Sequence, residues 1–204
     1  MLNEIRVGAQ VLSSGAVSPA RSERSGGLCA VDCHGRYQEA VLQGQVFSAS
    51  NVAAQAVSVA LATTYTGLCI SNPIGNIKNL VILGCQYALT VAPAAIASLH
   101  LIAGYSATAN VTHTAALAAP GIQNSFIGIG APSSAKADTQ ATIVNPTYLI
   151  PLGSGFTAAA LYATTPLWID LGGAFILPPG GWIAVGALTA VTGFGGFLWE
   201  EVPV

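Results

Sequence analysis

The chain has 204 residues, enough to bury one full hydrophobic core, and single all-β domains of this size are ordinary. Only 7% of it is Asp, Glu, Lys or Arg, against about 25% in an average soluble protein, while 52% is hydrophobic. A net charge of −2 with six Lys and Arg in all excludes a basic nucleic-acid-binding face, which needs clustered cations to neutralise phosphates.

Residues 1–40 read as an extended N-terminal arm with one or two short strands, because Ser13-Ser14-Gly15, Ser18-Pro19 and Ser25-Gly26-Gly27 break any sustained periodicity. Eight charges fall here: Glu4, Arg6, Arg21, Glu23, Arg24, Asp32, Arg36 and Glu39. Ile5, Val7, Val11, Leu12, Leu28 and Val31 are more apolar than a solvated tail requires, so the arm is expected to order on a neighbouring subunit. No apolar signal core follows Met1–Arg6, so synthesis in a reducing cytoplasm is expected, with free thiols. Cys29, Cys33 and His34 begin like a metal site, but no second Cys or His pair stands at zinc spacing. Neither a metal nor a cofactor is expected.

The body is expected over residues 41–204. Val41, Gln43, Gln45 and Phe47 alternate as a strand, Ser48 to Asn51 reads as a turn, and Val57, Val59 and Leu61 alternate again. Leu68-Cys69-Ile70 runs into Ser71-Asn72-Pro73-Ile74-Gly75-Asn76, a reversal by its residue types. Leu80 to Leu89 is the most apolar strand, and its first half is expected to be central and covered on both faces. Cys69 and Cys85 lie inside apolar strands, where a reduced thiol packs as a small hydrophobe. Leu80 to Ile102 is the best candidate for a membrane span, but Gln86, Pro93 and His100 interrupt it, so no membrane partner is expected.

Ile96 to Ile102 and Val111 to Leu117 look like paired strands of a hairpin. Ala118 to Asn145 reads as a long surface excursion whose only strand-like piece is Phe126-Ile127-Gly128-Ile129. Ala158 to Tyr162 returns to a sheet. In the closing stretch, Trp168, Asp170 and Gly172 alternate with Leu167, Ile169 and Leu171, which places one set on a core. Pro178-Pro179-Gly180-Gly181 makes a tight reversal into Trp182-Ile183-Ala184-Val185, and a Gly-rich bend at Gly193 to Gly196 precedes Phe197-Leu198-Trp199. These last strands are expected to form one sheet against another built from residues 41–118. Turn signals at intervals of about eight to twelve residues point to an all-β, jelly-roll-like antiparallel β-sandwich.

Chemistry is scarce in this body. Asp170 and Glu200, read as lying on adjacent strands, are the one carboxylate pair available for acid–base work, and solvated strand-edge charges explain them more simply. Gly153-Ser154-Gly155 is no nucleophile elbow, and Gly128-Ile129-Gly130 lacks the third glycine of a dinucleotide loop. The chain is therefore not expected to be an enzyme. Trp168, Trp182 and Trp199, with Asp170 and Glu200 nearby, are candidates for a sugar platform, although large aromatics in a charge-poor sandwich more often fill a core or an interface. Trp182, Phe194 and Phe197 are read as core or intersubunit. So few charges suit a subunit whose surface is covered by neighbours in a permanent assembly.

The run Gly35-Arg36-Tyr37-Gln38-Glu39-Ala40-Val41, then Phe47-Ser48-Ala49-Ser50-Asn51 and Gly67-Leu68-Cys69-Ile70-Ser71-Asn72-Pro73 before Lys78-Asn79-Leu80-Val81-Ile82-Leu83, resembles small virion structural proteins of tailed bacteriophages. So does Leu177-Pro178-Pro179-Gly180-Gly181-Trp182 with the closing Trp199-Glu200-Glu201-Val202-Pro203-Val204. The likeness covers most of residues 30–204 as a style of sequence. Within that group the head cement or decoration proteins are similar in size and in having a β-sandwich body. The resemblance implies a homotrimer at threefold positions on the outer surface of the capsid, made in the host cytoplasm, with the major capsid protein as partner. It implies no catalytic residues. Ile5, Val7, Arg21, Arg24, Arg36 and Tyr37 are the expected capsid-facing residues of the arm. A tail, baseplate or fibre-base component, a sugar- or receptor-binding module, and a glycan-processing enzyme using Asp170 and Glu200 are the rival readings.

Overall fold

The computed structural model describes residues 36–91, 93, 97–128, 130–155 and 167–204. Arg36 and Tyr37 form a turn that opens a short helix, α1 (Gln38–Leu42), where a strand beginning at Val41 was expected. Two alternating residues carry little weight against a run of good helix formers that has a stop. Gly44 adopts φ +70°, its amide donates to the Val41 carbonyl, and the Gln45 amide donates to that of Ala40.

Strands follow to the C-terminus: β1 (Val46–Ser50), β2 (Gln55–Val57), β3 (Thr64–Ser71), β4 (Lys78–Leu89), β5 (Ala97–Tyr105), β6 (Thr112–Ala116), β7 (Gln123–Asn124), β8 (Lys136–Thr142), β9 (Thr147–Gly155), β10 (Leu167–Leu177), β11 (Gly181–Ala187) and β12 (Val191–Pro203). They build two antiparallel sheets in a sandwich-like arrangement. The first runs β10-β4-β12-β1-β7, with β2 also on β12, and the second runs β6-β8-β3-β11-β5-β9.

Alternation explains which side chains enter the core. Phe47 and Ala49 point inward from β1 opposite Trp199 and Phe197 of β12, and the Phe47 and Trp199 rings stack at 6.2 Å. Leu99 and Leu101 of β5, Ile183 and Val185 of β11 and Tyr65 of β3 are buried with them, and the Tyr65 hydroxyl donates to the Val185 carbonyl at 2.6 Å. As expected, β4 is central in its sheet, between β10 and β12, and Leu80 and Ile82 to Cys85 are buried. Pro178 to Gly181 close a turn in which the Gly181 amide donates to the Pro178 carbonyl at 2.8 Å, with Gly180 at φ +90°.

Several expectations fail for identifiable reasons. Ser48 to Ser50 belong to β1 instead of a turn, and Asn51 just beyond it bonds to Gly193 and Gly195. The strands at residues 97–105 and 112–116 do not pair with each other; β5 lies between β11 and β9, and β6 lies on β8. Inside the supposed excursion, Lys136–Thr142 is a strand bridging β6 and β3, while residues 126–128 are not in one. Its inward residues include Ala137 and Ala141, too small to give a hydrophobic signal. Gly193 to Gly196 make no bend. They lie within β12, where a Cβ at Gly196 would stand 2.5 Å from the Gln86 amide nitrogen, so the glycines admit side chains lying across the strand. Finally, the closing strands are divided between the sheets, β10 and β12 in one and β11 in the other.

Candidate functional site

Six charged residues stand in the body, Ala40–Val204: Lys78, Lys136, Asp138, Asp170, Glu200 and Glu201. Glu201 is buried at the end of β12 and accepts from Lys78 Nζ at 2.9 Å, Ser133 Oγ at 2.6 Å, and Ser134 N and Oγ at 2.8 and 2.9 Å. Burial alone would push its carboxyl up, but the bonds from Ser133, Lys78 and Ser134 outweigh it and hold the group below the ordinary value. Asn76 extends the network, donating to Ser134 Oγ and to Asn72, whose own amide donates to the carbonyls of Lys78 and Leu177. This cluster ties two loops to the last strand and leaves none of its carboxylate for chemistry.

Asp138 on β8 is also buried, bonded to His113 Nδ1 at 2.5 Å, with the imidazole on the exposed edge strand β6. Burial raises the Asp138 carboxyl above its ordinary value, and the bond and charge of His113 with the charge of Lys136 offset that only in part. Lys136, Asp170 and the half-buried Glu200 are the charges left on the surface. Asp170 and Glu200 are not on adjacent strands, as had been expected: β4 lies between β10 and β12, two strand spacings of about 10 Å across the sheet, and the pair is not level either, since Asp170 stands opposite Gly84 and Glu200 opposite Val81. Asp170 instead accepts from the Gly172 amide next to it. Among the described residues no group of three or more His, Cys, Asp or Glu lies together, and no helix is long and apolar enough to cross a membrane.

Large apolar side chains are exposed on the surface, among them Ile77 (77% exposed), Ile127 (90%), Val91, Tyr105, Ile176 and Leu188. Of the three tryptophans, Trp182 and Trp199 are fully buried and Trp168 is 56% exposed. Trp182 fits against Gly104, and its Nε1 donates to the Val144 carbonyl at 2.7 Å. Phe197 is core, whereas Phe194, on the other face of β12, is exposed. Trp168 projects outward from β10, with its six-membered ring against Gly84 of β4. Arg36 places its guanidinium 5.2 Å from the centre of the Tyr37 ring. Ile5, Val7, Arg21 and Arg24 lie outside the described residues, as do Cys29, Cys33 and the stretch from Ala158 to Tyr162.

Two depressions meet beside β7. The larger, about 670 Å³, is formed mainly by residues 122–128 and 130–133, and the smaller, about 250 Å³, by β1, β4, β12, Trp168 and the loop at Pro120 to Gln123; Ser48 and Gln123 line both. A separate apolar groove of about 390 Å³ runs between Tyr105, Leu149 and Phe175. Sequence reasoning missed the depression at Trp168 as a place, since its walls come from five separate strands, β1, β4, β7, β10 and β12; the alternation around Trp168 was the one available signal. Compared with family models, curated proteins and solved structures, the chain matches none.

Proposed function

We propose that the protein is a non-enzymatic virion component, a head cement or decoration protein of a tailed bacteriophage. In this reading it self-associates, as a trimer, and staples neighbouring major capsid subunits together on the outer surface of the shell. The observation that carries the reading is the surface of the body. Four of its six charged residues are Lys78 and Glu201, bonded to each other, Asp138, buried against His113, and Glu200, half buried, which leaves Lys136 and Asp170 as the exposed charged residues among exposed Ile, Val, Leu, Tyr and Trp side chains. A free soluble domain commonly has about a quarter to a third of its surface residues charged. A surface this poor in charge suits a protein covered by sister molecules and a lattice.

Strand order supports the same reading. β1-β12-β4-β10 in one sheet and β3-β11-β5-β9 in the other follow the order of an eight-stranded jelly roll, with β2 added between its first and second strands and β6 to β8 between its fourth and fifth. That is an architecture of capsid and lectin domains. The mechanism is mass action. A protein that binds only the assembled lattice stabilises it by RT ln(1 + [L]/Kd) at each site, and many sites sum over a shell. An arm contact on a neighbour adds avidity by raising effective concentration.

Mixing purified protein with undecorated phage shells tests the proposal, with co-sedimentation and shell melting as readouts. Binding should raise the melting temperature of the shell, and deletion of residues 2–34 should leave a folded, oligomeric body that no longer binds. Undiminished binding after the deletion would sink the arm's role. Location at the tail or baseplate in a cryo-EM map of the native particle would sink the head assignment.

A further inference from the structure

We propose that the depression beside Trp168, on the outer face of the first sheet, is a subsite for a neutral hexopyranose that stacks on the indole and bonds to Gln86, Ser48 and Gln123. The inference does not depend on the virion reading.

Geometry comes first. On β10, Trp168 stands opposite Gln86 of β4, which in turn stands opposite Gly196 of β12, and Gly196 faces Ser50 of β1. Glycines make the seat: a Cβ at Gly84 would come within 3.0 Å of the Trp168 ring, and one at Gly196 within 2.5 Å of the Gln86 amide. The ring therefore leans on bare backbone and the amide lies across the neighbouring strand. Pro120, Gly121 and Gln123 wall the far side, and the volume of about 250 Å³ is of the order of one sugar ring.

Several polar atoms at this place have no partner among the described residues. Neither the Gln86 amide nor the Ser48 hydroxyl makes a hydrogen bond among the described residues, and the bonds of Gln123 engage Nε2 alone, leaving its oxygen open. Ser50, by contrast, is occupied with the Gly195 carbonyl. An amide supplies both donors and an acceptor, and a hydroxyl supplies one of each, which matches a ring of hydroxyls. The indole supplies a flat apolar face for the C–H side of the same ring. No charged side chain lines the depression, so a phosphate or carboxylate would be desolvated there without compensation and a neutral ligand is selected. A concave site with one aromatic wall and a few convergent polar groups is the usual form of a small-molecule site.

Cellotetraose and lactose are suitable probes. Both are neutral, and the β-linked glucose ring has only C–H bonds on its two faces. Titrating each into the 15N-labelled full chain should move the Trp168 indole N–H resonance saturably with at least one of them. The resonances of the buried Trp182 and Trp199 should stay in place. Trp168→Ala should weaken binding about tenfold or more, and Gln86→Ala by several-fold, with both variants melting near the parent. The proposal is overturned if neither sugar moves the resonance, or if Trp168→Ala and Gln86→Ala both bind as tightly as the parent. It is equally overturned if Trp168→Ala breaks the oligomer in sedimentation, because the indole is then a subunit contact. Shell binding by the same variants reports separately on the virion role.

Discussion

Removing the carboxylate of Glu201 should be among the most damaging single changes available in this protein. Its side chain is fully buried and accepts from Lys78, Ser133 and Ser134, so Glu201→Ala leaves those donors unpaired and removes one partner of a buried ion pair. Breaking such a pair from one side costs about 3 to 5 kcal/mol. The Lys78 side chain is 38% exposed and regains water, which favours the lower end, about 3 kcal/mol. For a domain of this size that is a fall in Tm of roughly 6 to 12 °C, read by calorimetry at fixed subunit concentration. Glu201→Gln keeps the shape and one acceptor and should fall about half as far. The pH dependence has a definite sign. The native carboxyl titrates below the ordinary 4.5, so its contribution is complete above that value and is lost as pH falls through the lowered native one. The parent should therefore lose stability in acid more steeply than Glu201→Gln. A Glu201→Ala variant melting within about 2 °C of the parent, or equal acid slopes, would refute the reasoning.

Trp199→Ala empties a fully buried site stacked on Phe47 and should cost about 3 to 5 kcal/mol in denaturant unfolding, whereas Trp168→Ala, half exposed, should cost about 1 kcal/mol or less. At Gly104 a Cβ would crowd the carbonyls of Val144 and Asn145 and stand 2.6 Å from Trp182 Nε1. Gly104→Ala should therefore destabilise by about 1 to 3 kcal/mol and shift the Trp182 fluorescence. Burial pushes the Cys69 thiol well up and that of Cys85 to about 11. Peptide mapping after treatment with a thiol reagent at pH 8 should find both unlabelled in the native protein and labelled after unfolding.

The sequence announced its strands best where large side chains alternate or run together. Leu80 to Cys85 read as a central strand because consecutive apolar residues need cover on both faces, and the alternation from Leu167 to Gly172 marked a strand with one covered face without saying which set is buried. β8 went unread because Ala137 and Ala141 bury almost nothing that hydropathy can register, and its place was fixed by neighbours far along the chain. The glycines of β12 were mistaken for a bend since a turn and a strand that admits a crossing side chain ask for the same residue. Sheet membership was illegible for a further reason: each sheet collects strands from both ends of the body, and one strand's alternation says nothing about its partners. The depression at Trp168 and the Glu201 cluster join residues far apart in the chain, so their members were visible singly and their meeting was not.

The claim on which the functional account rests is that neighbours cover this charge-poor surface. Sedimentation equilibrium of the purified full chain, run at low salt and again in molar salt, tests it most directly. Apolar association should persist in molar salt, where ionic contacts are screened within about 3 Å, and the protein should sediment as an oligomer in both conditions. A monomer at every concentration, stable in solution and indifferent to phage shells, would contradict the account.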